Sequence, residues 1–422
     1  MRTRQFDLNL GLLTCTLMLS SCVGLPPISL EAETIDLPLG PQITSEEHQT
    51  RVFESLWGLL EANYIYYEHA NVNWDELHET YLQRVNSGLT TEEFNALLNQ
   101  FESELPENEF IFRSRAERIE DDIADNSSYG GIGAFVGFEQ EERPHIVILD
   151  VMPDSPAEQA GLLAHDTILA VDGDPVRLEE GLSVVDRIRG PADSSVLLKV
   201  KTPGENERDV EITRAQLTGL GGLKSEQFED THIGYVLFPP SVPASLIDEF
   251  TQILTDFSSD DDFRGVILDL RISNSSAGWP LEAMLSLFQN GIVGEIYSRT
   301  ESQILRLEGR DAGGSQELPL VILTGENTRG LPEIFTAAMQ QNGRATVIGS
   351  GTPGDVETLG GFLLPDGSQA FIASTSFRLP DGEEIGVNGI SPAIQIDARW
   401  DQIGPDKDPL IQAAIEALEV QQ

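Results

Sequence analysis

The chain has 422 residues, of which 40% are hydrophobic and 23% charged, a composition typical of folded globular proteins and a length that suits two or three domains. Its 70 acidic and 26 basic residues give a formal net charge of −44. This charge argues against binding to nucleic acid, which requires a basic surface, and against electrostatic attachment to anionic lipid headgroups. Two explanations of the charge stay open: a solvated acidic surface, or an acidic groove for basic peptides.

The amino-terminal residues have the pattern of an export signal. Arg2 and Arg4 are followed by an apolar segment, residues 10–19, that is too short to span a bilayer as a helix. The segment ends in Leu19-Ser20-Ser21-Cys22, which resembles the lipobox of bacterial lipoproteins and implies lipidation of Cys22. The alternative is an ordinary secretory signal with an incidental cysteine.

We therefore expect residues 1–21 to be a signal peptide and residues 22–43, which are rich in proline and glycine, to be a tether. The protein would be exported to the bacterial cell envelope and held by lipid at Cys22 on a periplasmic or other extracytoplasmic face. The only other cysteine, Cys15, lies inside the signal, so the mature chain has no disulfide framework. No later stretch is long and apolar enough to predict a transmembrane helix.

A small helical subdomain is predicted over residues 44–125. Apolar residues recur at helical spacing after Ser45, and further helices are predicted from about Asn73 and Thr90. Two histidines in this region are interpreted as surface or packing residues, because no second ligand type lies at metal-binding spacing: His69 and His78. The sequence predicts neither a metal nor a cofactor.

Strands are predicted over residues 126–216. A glycine loop at residues 130–133 leads into a strand, and because the next element is another strand rather than a helix, the loop is not a dinucleotide-binding fingerprint. Four short phrases follow in order: Ser-Pro-Ala at 155–157, Ala-Gly-Leu at 160–162, Asp-Thr-Ile-Leu-Ala-Val-Asp-Gly at 166–173 and Ile-Arg-Gly-Pro at 188–191. In order and spacing, these phrases resemble a PDZ domain.

PDZ domains bind the extended C-termini of other proteins by strand addition, and backbone amides of the glycine loop hold the terminal carboxylate. The resemblance implies that four residues form the carboxylate end of a peptide groove: Gly131, Ile132, Gly133 and Ala134. The expected partners are therefore C-terminal or extended segments of other proteins. The alternative is a PDZ fold that serves only as an internal brace.

Residues 217–422 are predicted to form one larger α/β unit. Its most informative stretch is the loop at residues 325–330, which follows an apolar strand at 319–323. Pro332 is predicted as the first residue of the helix after this loop, because the missing amide hydrogen would have no partner inside the helix. A strand, a tight loop and a helix amino terminus suit a nucleophile, because the loop exposes a side chain and free amides can stabilise an oxyanion.

The core motifs and the order of the predicted domains resemble the C-terminal processing peptidases, also called tail-specific proteases. The motifs lie at residues 265–271, 319–339, 343–349 and 389–392. The resemblance covers nearly the whole mature chain. It implies an α+β multidomain protein in which a helical subdomain and a PDZ domain precede an α/β core of crotonase-like fold. Members of this family use a serine nucleophile and a lysine base to cut proteins near C-termini that the PDZ domain recognises.

The two catalytic residues of that family are missing from this sequence. The serine belongs in a Ser-Ala-Ser-Ala-Ser-Glu run before the helix, and Glu333 matches the closing glutamate, so Gly330 occupies the nucleophile position. The lysine belongs in a Thr-Phe-Gly-Lys phrase that here reads Thr-Pro-Gly-Asp, so Asp355 occupies the lysine position. The glycine-rich phrase that helps to form the family's oxyanion hole is altered as well, and Gly278 is the candidate for retaining part of that role.

Neither another lysine nor a histidine can replace the missing lysine base of the core. Lysines occur only at positions 199, 201, 224 and 407, and the last histidine is His232. A serine hydroxyl needs an adjacent base to attack at a useful rate, and loss of either partner typically costs several orders of magnitude in rate. The remaining candidate bases are carboxylates, which are normally too acidic for this role unless buried: Asp269, Glu333, Asp355 and Glu357.

Two hypotheses follow from these residues. In the first, the protein is a peptidase homologue without activity that binds protein C-termini through its PDZ domain as a lipid-anchored adaptor or regulator. In the second, it is an active serine peptidase that cleaves near protein C-termini with a non-standard arrangement, using a displaced serine together with a carboxylate or a residue of another chain. The candidate serines are Ser273, Ser275, Ser276 and Ser350. The absence of lysine between residues 225 and 406 and of histidine after His232 favours the first hypothesis.

Overall fold

The computed structural model describes most of the chain from residue 45 onward. The described ranges are 45–68, 72–106, 108–119, 129–140, 143–217, 222–240, 242, 245–275, 279–386, 388–404 and 408–420. The predicted signal peptide and tether lie outside these ranges, as do Cys22, His69, Ser276 and Gly278. Within the described ranges, no helix combines the length and the hydropathy needed to cross a membrane.

Three amino-terminal helices begin where the sequence predicts helix starts: α1 (Ser45–Asn63), α2 (Trp74–Val85) and α3 (Thr91–Phe101). The Asn73 side chain caps α2, and Thr90 and Glu93 form a reciprocal capping box at α3. His78 stacks on Phe53 with their ring centroids 5.4 Å apart. This contact agrees with the packing role that the sequence suggests for His78.

The amino-terminal region also contains a strand, which the sequence did not predict. Strand β1 (Phe110–Arg113) follows α3 and pairs antiparallel with a C-terminal strand, Gln369–Arg378. Side chains alternate along β1, and Phe110 and Phe112 are buried. They belong to one hydrophobic cluster with residues of the three helices and with Ile372 of the C-terminal strand. The helices therefore share a core with the carboxy-terminal part of the chain.

The region that resembles a PDZ domain contains an antiparallel sheet with short helices. Its strands are β2 (Tyr129–Gly131), β3 (Ala134–Glu139), β4 (His145–Val151), β5 (Thr167–Val171), β6 (Asp174–Pro175), β7 (Ser195–Lys201), β8 (Arg208–Thr213) and β9 (Ala215–Leu217). The described strands have the order β3-β4-β5-β7-β8, with β6 beside β5, and β2 pairs with β9. The helical segments are α4 (Pro156–Gln159), a 3-10 helix (Leu178–Val184) and α5 (Val185–Ile188).

Strand β4 is buried along its whole length, which agrees with the apolar run at residues 146–149. Ile146 and Ile148 belong to the core of the PDZ region. Val147 and Leu149, on the other face, form a separate apolar cluster with Leu237 of the α/β unit. Because successive side chains point to opposite faces of a strand, the PDZ sheet covers its own core with one face and packs on the α/β unit with the other.

The α/β unit is built on a six-stranded sheet. The strands of this unit are β10 (Lys224–Phe228), β11 (Ile233–Leu237), β12 (Gly265–Asp269), β13 (Asn274–Ser275), β14 (Gly291–Ser298), β15 (Ser302–Leu307), β16 (Leu320–Thr324), β17 (Arg329–Gly330), β18 (Thr346–Gly349), β19 (Thr358–Leu363), β20 (Gln369–Arg378) and β21 (Ile394–Gln395). The main sheet has the order β10-β11-β12-β16-β18-β21, and all neighbouring strands are parallel except the β10–β11 pair.

Helices cover both faces of this parallel sheet. They are α6 (Leu246–Phe257), α7 (Leu281–Phe288), α8 (Leu331–Gln341) and α9 (Pro409–Val420). Helices α6, α7 and α8 contribute to one hydrophobic cluster, and α9 contributes to another on the opposite face. A second sheet joins the amino-terminal helices to this unit. Its strands have the order β1-β20-β14-β15, and β19 also pairs with β20.

Candidate active site and peptide groove

The loop at residues 325–330 lies between a strand and a helix, as the sequence predicts. Strand β16 leads into the turn, the two-residue strand β17 pairs with β13, and α8 begins at Leu331. Gly330 is the residue that caps α8. Pro332 is therefore the second helical residue and not the first, which corrects the predicted helix start by one position. Proline is still tolerated there, because the first-turn amides of a helix have no intrahelical acceptor.

Thr328 fixes the turn between β16 and α8. Its buried hydroxyl accepts a hydrogen bond from the Gly325 N–H at 2.9 Å and donates one to the Leu270 carbonyl at 2.8 Å. The Arg329 N–H donates to the Ser273 carbonyl at 3.1 Å. These contacts attach the turn to the segment that follows β12, so the backbone of the nucleophile position is held from two sides.

Gly330 has a backbone conformation that favours glycine. Its φ is 73° and its ψ is −132°, a region that residues with a Cβ adopt only under strain. Catalytic serines on sharp strand-to-helix turns are held under strain of this kind, which exposes the side chain above the turn. The turn therefore has the backbone shape of a nucleophile site, and it is occupied by the residue that adopts this shape without strain.

The carboxylate of Glu333 joins the nucleophile and lysine positions. It accepts hydrogen bonds from the Gly330 N–H at 3.0 Å and from the Gly354 N–H at 2.7 Å. Glu333 is fully buried, and this burial raises the pKa of its carboxyl, although the hydrogen bonds act in the opposite direction. Because Gly354 directly precedes Asp355, the two positions that the sequence motifs indicated separately lie side by side in the fold.

Asp355 pairs with a cation that the sequence analysis missed. Its carboxylate forms an ion pair with the guanidinium of Arg329, and the Asn108 amide lies 3.4 Å from one of its oxygens. The side chains of Arg329 and Asp355 are 34% and 27% exposed, so the pair borders solvent. The available signal was the position of Arg329 directly before Gly330, which places a permanent positive charge beside the nucleophile position.

The glycine loop of the PDZ region is held in place by hydrogen bonds that its backbone carbonyls accept. The Ala157 N–H donates to the Ile132 carbonyl at 2.8 Å, and the Met152 N–H donates to the Gly133 carbonyl at 2.9 Å. Gly133 has a φ of 82°, and a Cβ built on it would lie 2.3 Å from the Cβ of Ser155. Glycine is thus required at Gly133 for both conformation and space.

Within the described residues, strand β3 leaves one edge of the PDZ sheet open for strand addition. Among the described strands, β3 pairs with β4 on one side only. The 3-10 helix Leu178–Val184 lies beside β3, and its Leu178 and Leu182 are exposed. An open strand edge next to the glycine loop, with exposed apolar side chains nearby, is the geometry that peptide recognition by strand addition uses.

Comparison with known proteins agrees with this organisation. Residues 232–396 match the model of peptidase family S41, residues 147–202 match a PDZ domain, and residues 45–101 match the tricorn protease C1 domain. The C-terminal processing peptidase, chloroplastic, of Tetradesmus obliquus is 25% identical over 390 residues, which cover 84% of this chain and 78% of that protein. The peptidase core of this chain is thus similar to peptidase family S41, and most of the chain is similar to a C-terminal processing peptidase. The family resemblance expected from the sequence motifs is confirmed.

A further relative and one solved structure extend the comparison. The carboxyl-terminal-processing protease of Picosynechococcus sp. is 29% identical over 300 residues, which cover 67% of this chain and 70% of that protein. The structure of a photosystem II D1 C-terminal processing protease has a TM-score of 0.64 at 22% identity and covers 89% of this chain and 98% of that one. This likeness confirms the α+β multidomain fold, with a PDZ domain before the peptidase core.

Each core carboxylate that the sequence suggests as a base forms contacts with other groups in this protein. Glu333 holds two backbone amides, and Asp355 is paired with Arg329. Glu357 accepts hydrogen bonds from the Tyr66 hydroxyl and, at 3.2 Å, from the Ser376 hydroxyl, and burial raises the pKa of its carboxyl. Asp269 accepts from the guanidinium of Arg271 in the buried interior.

The candidate serines differ in their distance from the nucleophile position. Ser275 pairs with Gly330 in the β13–β17 register, so its backbone is adjacent to that position. Ser273 is fully buried, and its hydroxyl has no hydrogen-bond partner within the described ranges. Ser350 follows β18 and is partly exposed. Of the described candidate serines, Ser275 is therefore the one whose backbone pairs with the nucleophile position, which makes it the first candidate for a displaced nucleophile.

A cavity of about 1070 Å³ lies between the amino-terminal region and the second sheet. Its walls carry more carboxylates than guanidinium groups: Glu68, Glu104, Glu109, Glu301 and Glu384 against Arg299 and Arg378. Neither Gly330 nor Asp355 lines this cavity. Within the described ranges, no group of three or more His, Cys, Asp or Glu side chains is placed to bind a metal ion.

Proposed function

We propose that this protein is a C-terminal processing peptidase homologue without peptidase activity, which binds the C-termini of other proteins and acts as a lipid-anchored adaptor or regulator. One observation carries the proposal. The nucleophile position is Gly330, and the adjacent lysine position is Asp355, whose carboxylate is paired with Arg329. The backbone of the catalytic turn is present, but the two reactive groups of the family are absent from it.

The chemistry of these positions supports the loss of peptidase activity. Glycine has no side-chain nucleophile, and a carboxylate held in an ion pair with a guanidinium is a poor base for a serine hydroxyl. The sequence has no lysine between residues 225 and 406 and no histidine after His232. Loss of one member of a catalytic pair already lowers turnover by several orders of magnitude.

The PDZ region supports a function in binding. The open edge of β3 and the glycine loop at residues 131–134 can be occupied by an extended C-terminus without any contribution from the peptidase core. The lipobox pattern at residues 19–22 supports attachment at Cys22, which would place the groove at a membrane surface outside the cytoplasm. An adaptor of this kind would concentrate its ligands at the membrane or compete with an active relative for them.

The first test is to compare binding and cleavage in one experiment. The purified chain, expressed without its lipid anchor, is incubated with a library of C-terminal peptides. Anisotropy measures binding, mass spectrometry measures cleavage, and a fluorophosphonate probe reports a reactive serine. We expect binding without cleavage and without labelling. Labelling that disappears on heat denaturation would instead support the displaced-serine peptidase, and Ser275→Ala should then remove the labelling.

A second test places the bound peptide on the PDZ groove. We expect Leu182→Asp to weaken peptide binding at least tenfold, because it introduces a charge into exposed apolar surface beside β3. Leu197→Asp is the matched control, since Leu197 is also exposed but lies on β7, away from the open edge. Equal effects of the two variants would place the ligand elsewhere. Gly133→Glu is less informative, because its Cβ would collide with Ser155 and disturb the fold.

A further inference from the structure

The groove fixes the direction of a bound peptide, if it binds as proposed above. The carboxylate loop at residues 131–134 directly precedes β3, so a C-terminus held there runs antiparallel to β3 and its upstream residues pass Glu139. Opposed residues on antiparallel strands advance one for one. A terminal residue opposite Ala134 therefore places the fifth residue before it opposite Glu139.

The side chain of that fifth residue would point toward the α/β unit. Ala134, Val136 and Phe138 pack against the core of the PDZ region, whereas Phe135 packs in the cluster shared with the α/β unit. Glu139 lies on the same face as Phe135 by strand alternation. Directly opposed residues share a face of the sheet, so the ligand residue opposite Glu139 faces the α/β unit as well.

Acidic groups surround this end of the groove. The carboxylates of Glu326 and Asp401, in the α/β unit, repel the Glu139 carboxylate. The Arg399 guanidinium and the ring of His145, which lies on β4, attract it. Asp401 is already compensated, because it lies 2.6 Å from the Arg399 guanidinium and 3.2 Å from the His145 ring. Within the described part of the chain, the Glu139 carboxylate forms no hydrogen bond or ion pair, so Arg399 and His145 compensate its charge only at longer range. Glu326 is exposed.

We propose that the peptide groove selects C-terminal segments with a lysine or arginine about five residues before the terminus. The ammonium or guanidinium group would lie between the carboxylates of Glu139 and Glu326. Glu326 stands four positions before Gly330, so it belongs to the same loop as the nucleophile position. One explanation of the strong negative charge of the chain was an acidic groove for basic peptides. In this proposal, the groove is the surface beside Glu139 and Glu326.

The titration of Glu139 gives the proposal a second readout. Burial and then repulsion by Glu326 and Asp401 raise the pKa of Glu139 to about 7. A lysine-bearing peptide should therefore bind more tightly at pH 8, where Glu139 is ionised, than at pH 6. Burial lowers the pKa of the nearby His145 ring, but its hydrogen bond to Asp401 raises that pKa overall, so the comparison with Glu139→Gln isolates the contribution of Glu139.

The test is a positional scan with labelled peptides of alanine and serine that end in valine. A single lysine is moved from the first to the eighth position before the terminus, and a lysine-free peptide is the reference. At low salt we expect about fivefold tighter binding with lysine near the fifth position, since exposed ion pairs contribute modestly, and loss of this preference at 500 mM salt. In Glu139→Gln/Glu326→Gln the preference should fall to less than twofold and its pH dependence should disappear.

Glu211→Gln is the matched control, because Glu211 is exposed on β8 at the opposite edge of the PDZ sheet and should leave the positional preference intact. A scan without positional preference, or one that survives the double substitution, would overturn the inference while binding of the lysine-free reference still supports the groove. Failure of every peptide to bind would overturn the proposed binding function together with the inference.

Discussion

Replacing Glu333 with alanine should lower the free energy of unfolding by about 3 to 5 kcal/mol, because it leaves one buried and one half-buried amide without an acceptor. Those amides belong to Gly330 and Gly354, which lie 3.0 Å and 2.7 Å from the two oxygens of the Glu333 carboxylate. Chemical denaturation monitored by tryptophan fluorescence measures the change. Glu333 is thus expected to maintain the catalytic turn even though no nucleophile is present there.

Two further variants separate this role from the general effect of an acid at a helix start. Glu282→Ala removes an exposed glutamate from the first turn of α7 and should cost about 1 kcal/mol or less. Glu333→Gln keeps one acceptor oxygen and should fall between the two. If Glu333→Ala were no more destabilising than Glu282→Ala, the two hydrogen bonds would not hold the turn, and the adjacency of the nucleophile and lysine positions would need another cause.

The elements that the sequence predicted well are those whose signals are local. Capping by Asn73 and Thr90 marks the starts of α2 and α3, and the apolar run of β16 followed by a glycine turn marks the catalytic loop. The PDZ strands also follow from phrases of fixed spacing. Local signals of this kind are independent of the rest of the chain, so they identify element type before the fold is known.

The missed elements depend on distant partners. Strand β1 has four residues and is stabilised by β20, more than 250 positions away in sequence. Strands β14 and β15 carry many exposed or half-exposed residues, so they show no long apolar run. The ion pair of Arg329 with Asp355 likewise joins separate segments. Motif spacing placed Asp355 in the lysine position but could not show which cation would approach it, because that depends on tertiary packing.

Arg271→Met should lower the free energy of unfolding by about 3 to 5 kcal/mol, because it leaves buried carboxylates unpaired. The Arg271 guanidinium lies 2.5 Å from Asp269 and 2.6 Å from Asp408, and it stacks over the Trp400 ring with 5.0 Å to the centroid. Asp269 is fully buried and also accepts from the Tyr235 hydroxyl at 2.7 Å. Removing the Arg271 guanidinium therefore exposes Asp269 and Asp408 to mutual repulsion in a poorly solvated site.

The Arg271 cluster also supports the contact between the PDZ region and the peptidase core. The Trp400 indole N–H donates to the Ile148 carbonyl of β4 at 3.1 Å, and the Trp400 carbonyl lies 2.8 Å from a ring nitrogen of His165. Loss of Arg271 should therefore increase limited proteolysis between the PDZ region and the core as well as lowering stability. Hydrogen exchange of β4 measures this second effect.

The buried charge can be tested separately from the loss of packing. Asp269→Asn combined with Arg271→Met removes one of the unpaired carboxylates, so the double variant should recover part of the stability that Arg271→Met loses. Arg306→Met, at an exposed position on β15, should change stability by less than about 0.5 kcal/mol. An unchanged loss in the double variant would mean that Arg271 acts through its stacking on Trp400, and the PDZ contact rather than the ion cluster would then be the stabilising feature.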